Sequence, residues 1–141
     1  MHSLETYFAT LRQIHDTGGG VVETSYYGAL ENLLNQVGDG LDPQVRAVPQ
    51  LRDTGAGSPD FGLFTAGQFE AGLEGDPLPG QKPERGVVEV KSWRDEVLTV
   101  AASEQVARYG LHYGMVLVSN YRDFVLVGRD AAGQLAPLER L

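Results

Sequence analysis

The segment GVVEVKSW, residues 86–93, begins as a run of valines and ends with Glu89 and Lys91 on either side of Val90. Val-rich runs suit a pleated, buried surface, so this segment is read as a β-strand in the middle of a sheet. Side chains alternate along a strand, so Glu89 and Lys91 share one face. Two charges within an apolar strand need partners, or a metal ion, to offset their desolvation. An isolated E-x-K on a strand is most simply a structural ion pair, so the surrounding sequence must decide whether it is more.

Working toward the N-terminus, GSPDFGLFT (57–65) places Pro59-Asp60 after a glycine-rich turn and ahead of an apolar strand. Asp is common in turns because its carboxylate bonds nearby backbone N–H groups. If this strand pairs with 86–93 as a hairpin, however, Asp60, Glu89 and Lys91 converge on one face. VRAVPQL (45–51) is read as an edge strand, since Pro49 belongs at an edge or an end. Ahead of it, Leu4, Tyr7, Phe8, Leu11 and Ile14 have helical spacing, and a second helix runs through Tyr26, Leu30, Leu33, Leu34 and Val37. Ser3 is a candidate cap for the first helix, and Thr24 and Ser25 for the second. The second helix is expected to stop at Gly38.

Toward the C-terminus, DEVLTVAASEQVARYGLHYG (95–114) resumes helical spacing, at least from Ala101 to Tyr109. MVLVSN (115–120) and FVLVGR (124–129) are two further strands. The expected order is helix, helix, three strands, helix, two strands. It implies an α/β fold with a mixed, partly antiparallel sheet flanked by helices. The Gly- and Pro-rich stretch 66–86 is an exposed connection longer than usual.

The 141 residues are expected to form a single domain, and the composition is that of an ordinary globular chain. There is no cysteine, which removes disulfides and thiolate metal clusters and fits a reducing, cytoplasmic setting. No apolar run approaches a membrane span, and the N-terminus lacks the features of a signal peptide. The net charge of −8, from 11 basic and 19 acidic residues, argues against strong DNA binding by this chain alone.

Pro59-Asp60 and Glu89-Val90-Lys91, in this order and on two successive strands, resemble the PD-(D/E)xK, or restriction-endonuclease-like, nuclease superfamily. Gln105 and Tyr109 extend the resemblance as a Q-x-x-x-Y pair one turn apart on the following helix. So does Glu23 near the mouth of the second helix. From about Glu23 to about Gly128 the chain is similar to the N-terminal nuclease domain of type IIG and ISP-like restriction-modification proteins fused to an adenine-N6 methyltransferase.

The resemblance implies a metal-dependent endonuclease. Asp60 and Glu89 would be ligands of Mg2+, with Mn2+ as a substitute, and Glu23 a further ligand. Lys91 would position the attacking water, and Gln105 and Tyr109 would support the site. It also implies that residues 1–141 are the N-terminal part of a larger chain whose other domains grip DNA, the isolated domain being monomeric or weakly dimeric. Trp93 is read as a core residue.

Two other readings compete with this one. One is a nuclease-like fold kept only as a docking or DNA-positioning module. The other is a retropepsin-like aspartic protease, because Asp53 opens DTGA (53–56) and VLVGRD (125–130) follows. Against the second, two helices open the chain, and that protease fold is all-β.

Overall fold

The computed structural model describes residues 2–17, 22–69, 76–78 and 80–140, and of residues 2, 16, 17 and 22–25 it describes only the backbone. Helices α1 (His2–Thr17) and α2 (Val22–Asp39) precede strands β1 (Val45–Pro49), β2 (Phe61–Thr65) and β3 (Val87–Val90). Helices α3 (Val97–Ala101) and α4 (Glu104–Tyr113) then lead to β4 (Val116–Ser119), β5 (Phe124–Arg129) and β6 (Leu135–Arg140). The six strands lie in sequence order, and β3–β4 is the parallel pair in an otherwise antiparallel sheet. The mixed sheet flanked by helices is therefore the architecture expected from the strand and helix order.

Alternation along the strands gives the sheet two apolar faces. Ala47, Phe61, Val88 and Phe124 face α1 and α2, where they pack with Tyr7, Tyr26, Leu30 and Leu33. Val87, Val116, Val118, Val125 and Val127 face α3 and α4, where they meet Val97, Val106 and Tyr109. Fully burying a Val or Phe side chain contributes about 1.5–3 kcal/mol, and Phe61 and Val88 on one face and Val87, Val116, Val118 and Val125 on the other are fully buried. Both faces are therefore anchored independently of any ligand.

Several expectations change in detail. The single C-terminal helix is two helices, α3 and α4, divided at Ala102–Ser103, because the Ser103 hydroxyl caps α4 by accepting from the Val106 N–H at 3.2 Å. A sixth strand, β6, was not expected. Its Pro137 and exposed residues are tolerated because it is an edge strand, with a register irregularity opposite Leu126 and Val127. Thr24 and Ser25 fall inside α2, which runs on through Gly38 to Asp39. Gly38 is there for close approach, since a Cβ at that position would overlap the Val45 carbonyl. In the connection after β2, Gln68 is buried and bonds the Thr65 N–H, the Glu84 N–H and the Lys82 carbonyl, so the segment is partly ordered by its own polar contacts.

Candidate active site

The site forms where β2 and β3 part. They pair through Phe61↔Val88 and Gly62↔Val87, with Leu63 bonding Gly86 and Arg85 at the far end, and the ladder stops at Phe61↔Val88 on the near side. Past the Phe61↔Val88 pair, the Val90 N–H donates to the Asp60 carboxylate (Oδ2) at 2.8 Å. Asp60's own carbonyl accepts from the Gln50 N–H and from the Tyr27 hydroxyl, each at 2.7 Å. Groups from β3, from the end of β1 and from α2 thus hold this one residue. Its side-chain bond reaches 30 positions along the chain and is not a local turn contact. The local turn belongs to Asp53, whose Oδ1 accepts from the Gly55 N–H at 2.8 Å and the Gly57 N–H at 3.1 Å. Those two bonds hold the Asp53 carboxyl below its usual pKa. Asp53 is exposed in a loop of a mixed α/β fold, which removes the retropepsin reading.

Glu89 lies on the α4 face of β3, two residues beyond Val87, and is 4% exposed. The Lys91 Nζ donates to its Oε2 at 3.0 Å, and the lysine side chain is itself 38% exposed. Burial, followed by the negative charge of Asp60, raises the Glu89 pKa from 4.5 to about 7, against the lowering effect of Lys91. Glu89 thus has one ammonium partner while the charge of nearby Asp60 acts against its ionisation, so the pair favours a proton or a cation.

On α4, the Gln105 Nε2 donates to the Tyr109 hydroxyl at 3.3 Å, so the expected i,i+4 pair is in contact. Tyr109 is buried, and its pKa is raised by burial and then by the charges of Glu89 and Asp60. The structure therefore gathers Asp60, Glu89, Lys91, Gln105 and Tyr109 around one end of β3. Gly57 ties the Asp60 loop to this helix: its φ of 109° suits glycine, and a Cβ there would press on the Tyr109 ring at 3.3 Å. Glu23 lies in the first turn of α2, and its side chain is outside the described residues.

Asp60 and Lys91 open onto a cleft of about 480 Å3, lined also by Tyr27, Gln50, Val90, Ser92 and Tyr121. Tyr27, Gln50 and Tyr121 were not expected there. They come from α2, the end of β1 and the β4–β5 turn, and nothing in their local sequence announces it. Gln50 (φ 54°) and Tyr121 (φ 77°) are the two non-glycine residues with positive φ among those described, and both line this cleft. Such conformations cost of order 1–3 kcal/mol each and cluster at functional sites.

Among the described residues there is no group of three or more His, Cys, Asp or Glu side chains placed to hold a metal. Two carboxylates suit Mg2+, a hard ion that keeps several waters and is completed by substrate phosphates.

The fold is similar to that of a chain in the DrdV–DNA complex. That structure, solved by cryo-electron microscopy, aligns with a TM-score of 0.67 and 21% identity over 99% of this chain and 85% of the other. No protein-family model and no curated protein matches the sequence. The likeness to the DrdV chain extends over the whole layout that positions the site, and the α/β class is consistent with a restriction-endonuclease-like fold. No described helix is long and apolar enough to cross a membrane.

Proposed function

We propose that this chain is a Mg2+-dependent endodeoxyribonuclease domain of a restriction-modification protein, with Mn2+ able to replace Mg2+. The observation that carries the reading is the meeting of Asp60, Glu89 and Lys91 where β2 and β3 part: two carboxylates close enough for the charge of Asp60 to act on Glu89, and an ammonium at 3.0 Å from Glu89. Support also comes from the fold it shares with a chain solved in complex with DNA.

Asp60 and Glu89 would hold the ion, and Glu23 is the candidate for a further ligand. Mg2+, when bound, supplies a water of lowered pKa and charge stabilisation at the phosphoryl oxygens. Asp60 comes to this task pre-positioned, because the Val90 N–H holds one of its oxygens in place. Glu89 must be ionised to serve as a ligand, which makes the site sensitive to pH near 7. The Lys91 ammonium, part-exposed and lining the cleft, orients the nucleophilic water and offsets charge that develops on the phosphate. Gln105 and Tyr109 support the carboxylates from behind, with the phenol kept protonated by its surroundings. With a net charge of −8, the domain would rely on other domains of its parent protein for most of its DNA grip.

The test is conversion of supercoiled plasmid to nicked or linear forms by the chain and its parent protein, in Mg2+, Mn2+ or EDTA, with Asp60→Ala, Glu89→Ala and Lys91→Ala in parallel. Metal-dependent cleavage lost in all three variants is the expected result. Cleavage that persists in EDTA, or full activity in any variant, would sink the corresponding assignment.

A further inference from the structure

The cleft at Asp60 and Lys91 has a neighbour. A second cleft, of about 350 Å3, is lined by Phe8, Leu11, Arg12, His15, Tyr26, Trp93, Tyr121 and Arg122. Tyr121 lines both clefts, so the second lies directly beside the first. Its floor is Trp93, two residues beyond Lys91. Trp93 is half-buried and packs against the core on the α1 and α2 side, as its position in the sequence suggested, and it also lines this cleft. The Arg94 guanidinium carbon lies 5.1 Å from the Trp93 ring centroid and that of Arg122 lies 6.0 Å from it.

The Arg122 side chain is held in place, and the turn that carries Arg94 is braced against it. Arg122 donates from Nη2 to the Trp93 carbonyl at 2.9 Å. The turn carrying Trp93 and Arg94 is joined to the turn carrying Arg122 by the Asn120 side chain, which donates to the Asp95 carbonyl at 2.8 Å. The Asn120 Oδ1 also accepts from the Arg122 and Asp123 N–H groups. Such bonds restrict the side-chain freedom that binding would otherwise have to remove.

The charges are also uncompensated. Among the described residues neither Arg94 nor Arg122 has a carboxylate within ion-pair distance, although Asp95 and Asp123 are their sequence neighbours. With Arg12 at the rim and Lys91 in the adjoining cleft, four of the chain's 11 basic residues gather at this end of the sheet, in a protein of net charge −8. Guanidinium groups fixed on an aromatic plate, without carboxylate partners, suit phosphate oxygens.

We infer that Arg94 and Arg122, braced by Trp93 and assisted by Arg12, form a subsite for the DNA backbone phosphates that flank the phosphate at Asp60 and Lys91. The inference rests on the nuclease reading for its substrate. The subsite gives an acidic domain a local handle on the strand, which it uses to register the scissile bond while other domains supply most of the affinity.

Binding of a short fluorescein-labelled duplex in EDTA, followed by anisotropy across a salt titration, tests it separately from catalysis. Arg94→Ala combined with Arg122→Ala should weaken binding by about tenfold or more and lower the slope of log K against log salt by about two. Arg85→Ala combined with Arg129→Ala makes the same change in net charge at the opposite end of the sheet and should leave binding and slope close to wild type. Trp93→Ala, with both arginines present, should reproduce part of the loss.

Equal binding by wild type and the Arg94/Arg122 variant overturns the subsite, and so does an equal loss in the Arg85/Arg129 control. A wild-type chain that fails to bind even at low salt overturns it too. Arginine-dependent binding in a chain that does not cleave would support the subsite and count against the nuclease reading. Cleavage insensitive to the two arginines would do the reverse.

Discussion

Replacing Glu89 by Gln should stabilise this protein at neutral and alkaline pH. The Glu89 carboxyl titrates at about 7 in the fold against an ordinary value of 4.5, because it is buried beside Asp60. A raised folded-state pKa contributes stability that is fully present below about 4.5 and is lost as pH rises through about 7. A shift of that size corresponds to at most about 3 kcal/mol. Glutamine keeps the shape and cannot ionise, so the variant escapes the loss. In EDTA, thermal unfolding followed by circular dichroism should show little difference near pH 4. At pH 8 the variant should have a Tm higher by something of the order of 5–10 °C. Adding Mg2+ at pH 8 should raise the wild-type Tm and leave the variant's unchanged, since only an ion held by the folded state stabilises it. If Glu89→Gln instead lowered Tm by the same amount at both pH values, the Glu89–Lys91 pair would be an ordinary structural ion pair, and the argument from its burial would fail.

Asp60→Asn should retain the fold, because an amide oxygen can still accept from the Val90 N–H, while Mg2+ or Mn2+ binding measured by calorimetry falls away. Lys91→Met should bind metal and yet lose about 10²–10⁴ in cleavage rate, the usual range for a positioned acid–base or charge-stabilising group. It should also push the Glu89 pKa further up, visible as an alkaline shift in the pH dependence of metal binding, because Lys91 is the group that lowers it. Gly57→Ala should cost about 1–3 kcal/mol in chemical denaturation, since it forces a side chain into a φ of 109° and against the Tyr109 ring. A variant as stable as wild type would show that the loop shifts freely away from α4.

The sequence determined by itself what depends on short-range periodicity. Valine runs mark β3, β4 and β5, helical spacing marks α1, α2 and α4, and the two-residue repeat places Glu89 and Lys91 on one face. Pro49 placed β1 at an edge, because proline cannot donate to a ladder. Gln105 and Tyr109 met because four residues make about one helical turn. The gathering of Asp60 with Glu89 was foreseen only on the assumption that β2 and β3 pair. The physical cause, a ladder that stops after Phe61↔Val88 so that a carboxylate takes the next N–H, is a property of two strands together. Likewise the roles of Asp53 and Asp60 could not be separated by composition. Both lie at the ends of one turn-rich segment, 53–60, and which one satisfies its own loop and which reaches across the sheet depends on where the β2–β3 pair places them. Tyr27, Gln50, Tyr121 and the Trp93 arginines come from four separate segments, so no local pattern could assemble them. Long-range contacts are made where loops close and sheets order, and that order appears only when the chain has folded.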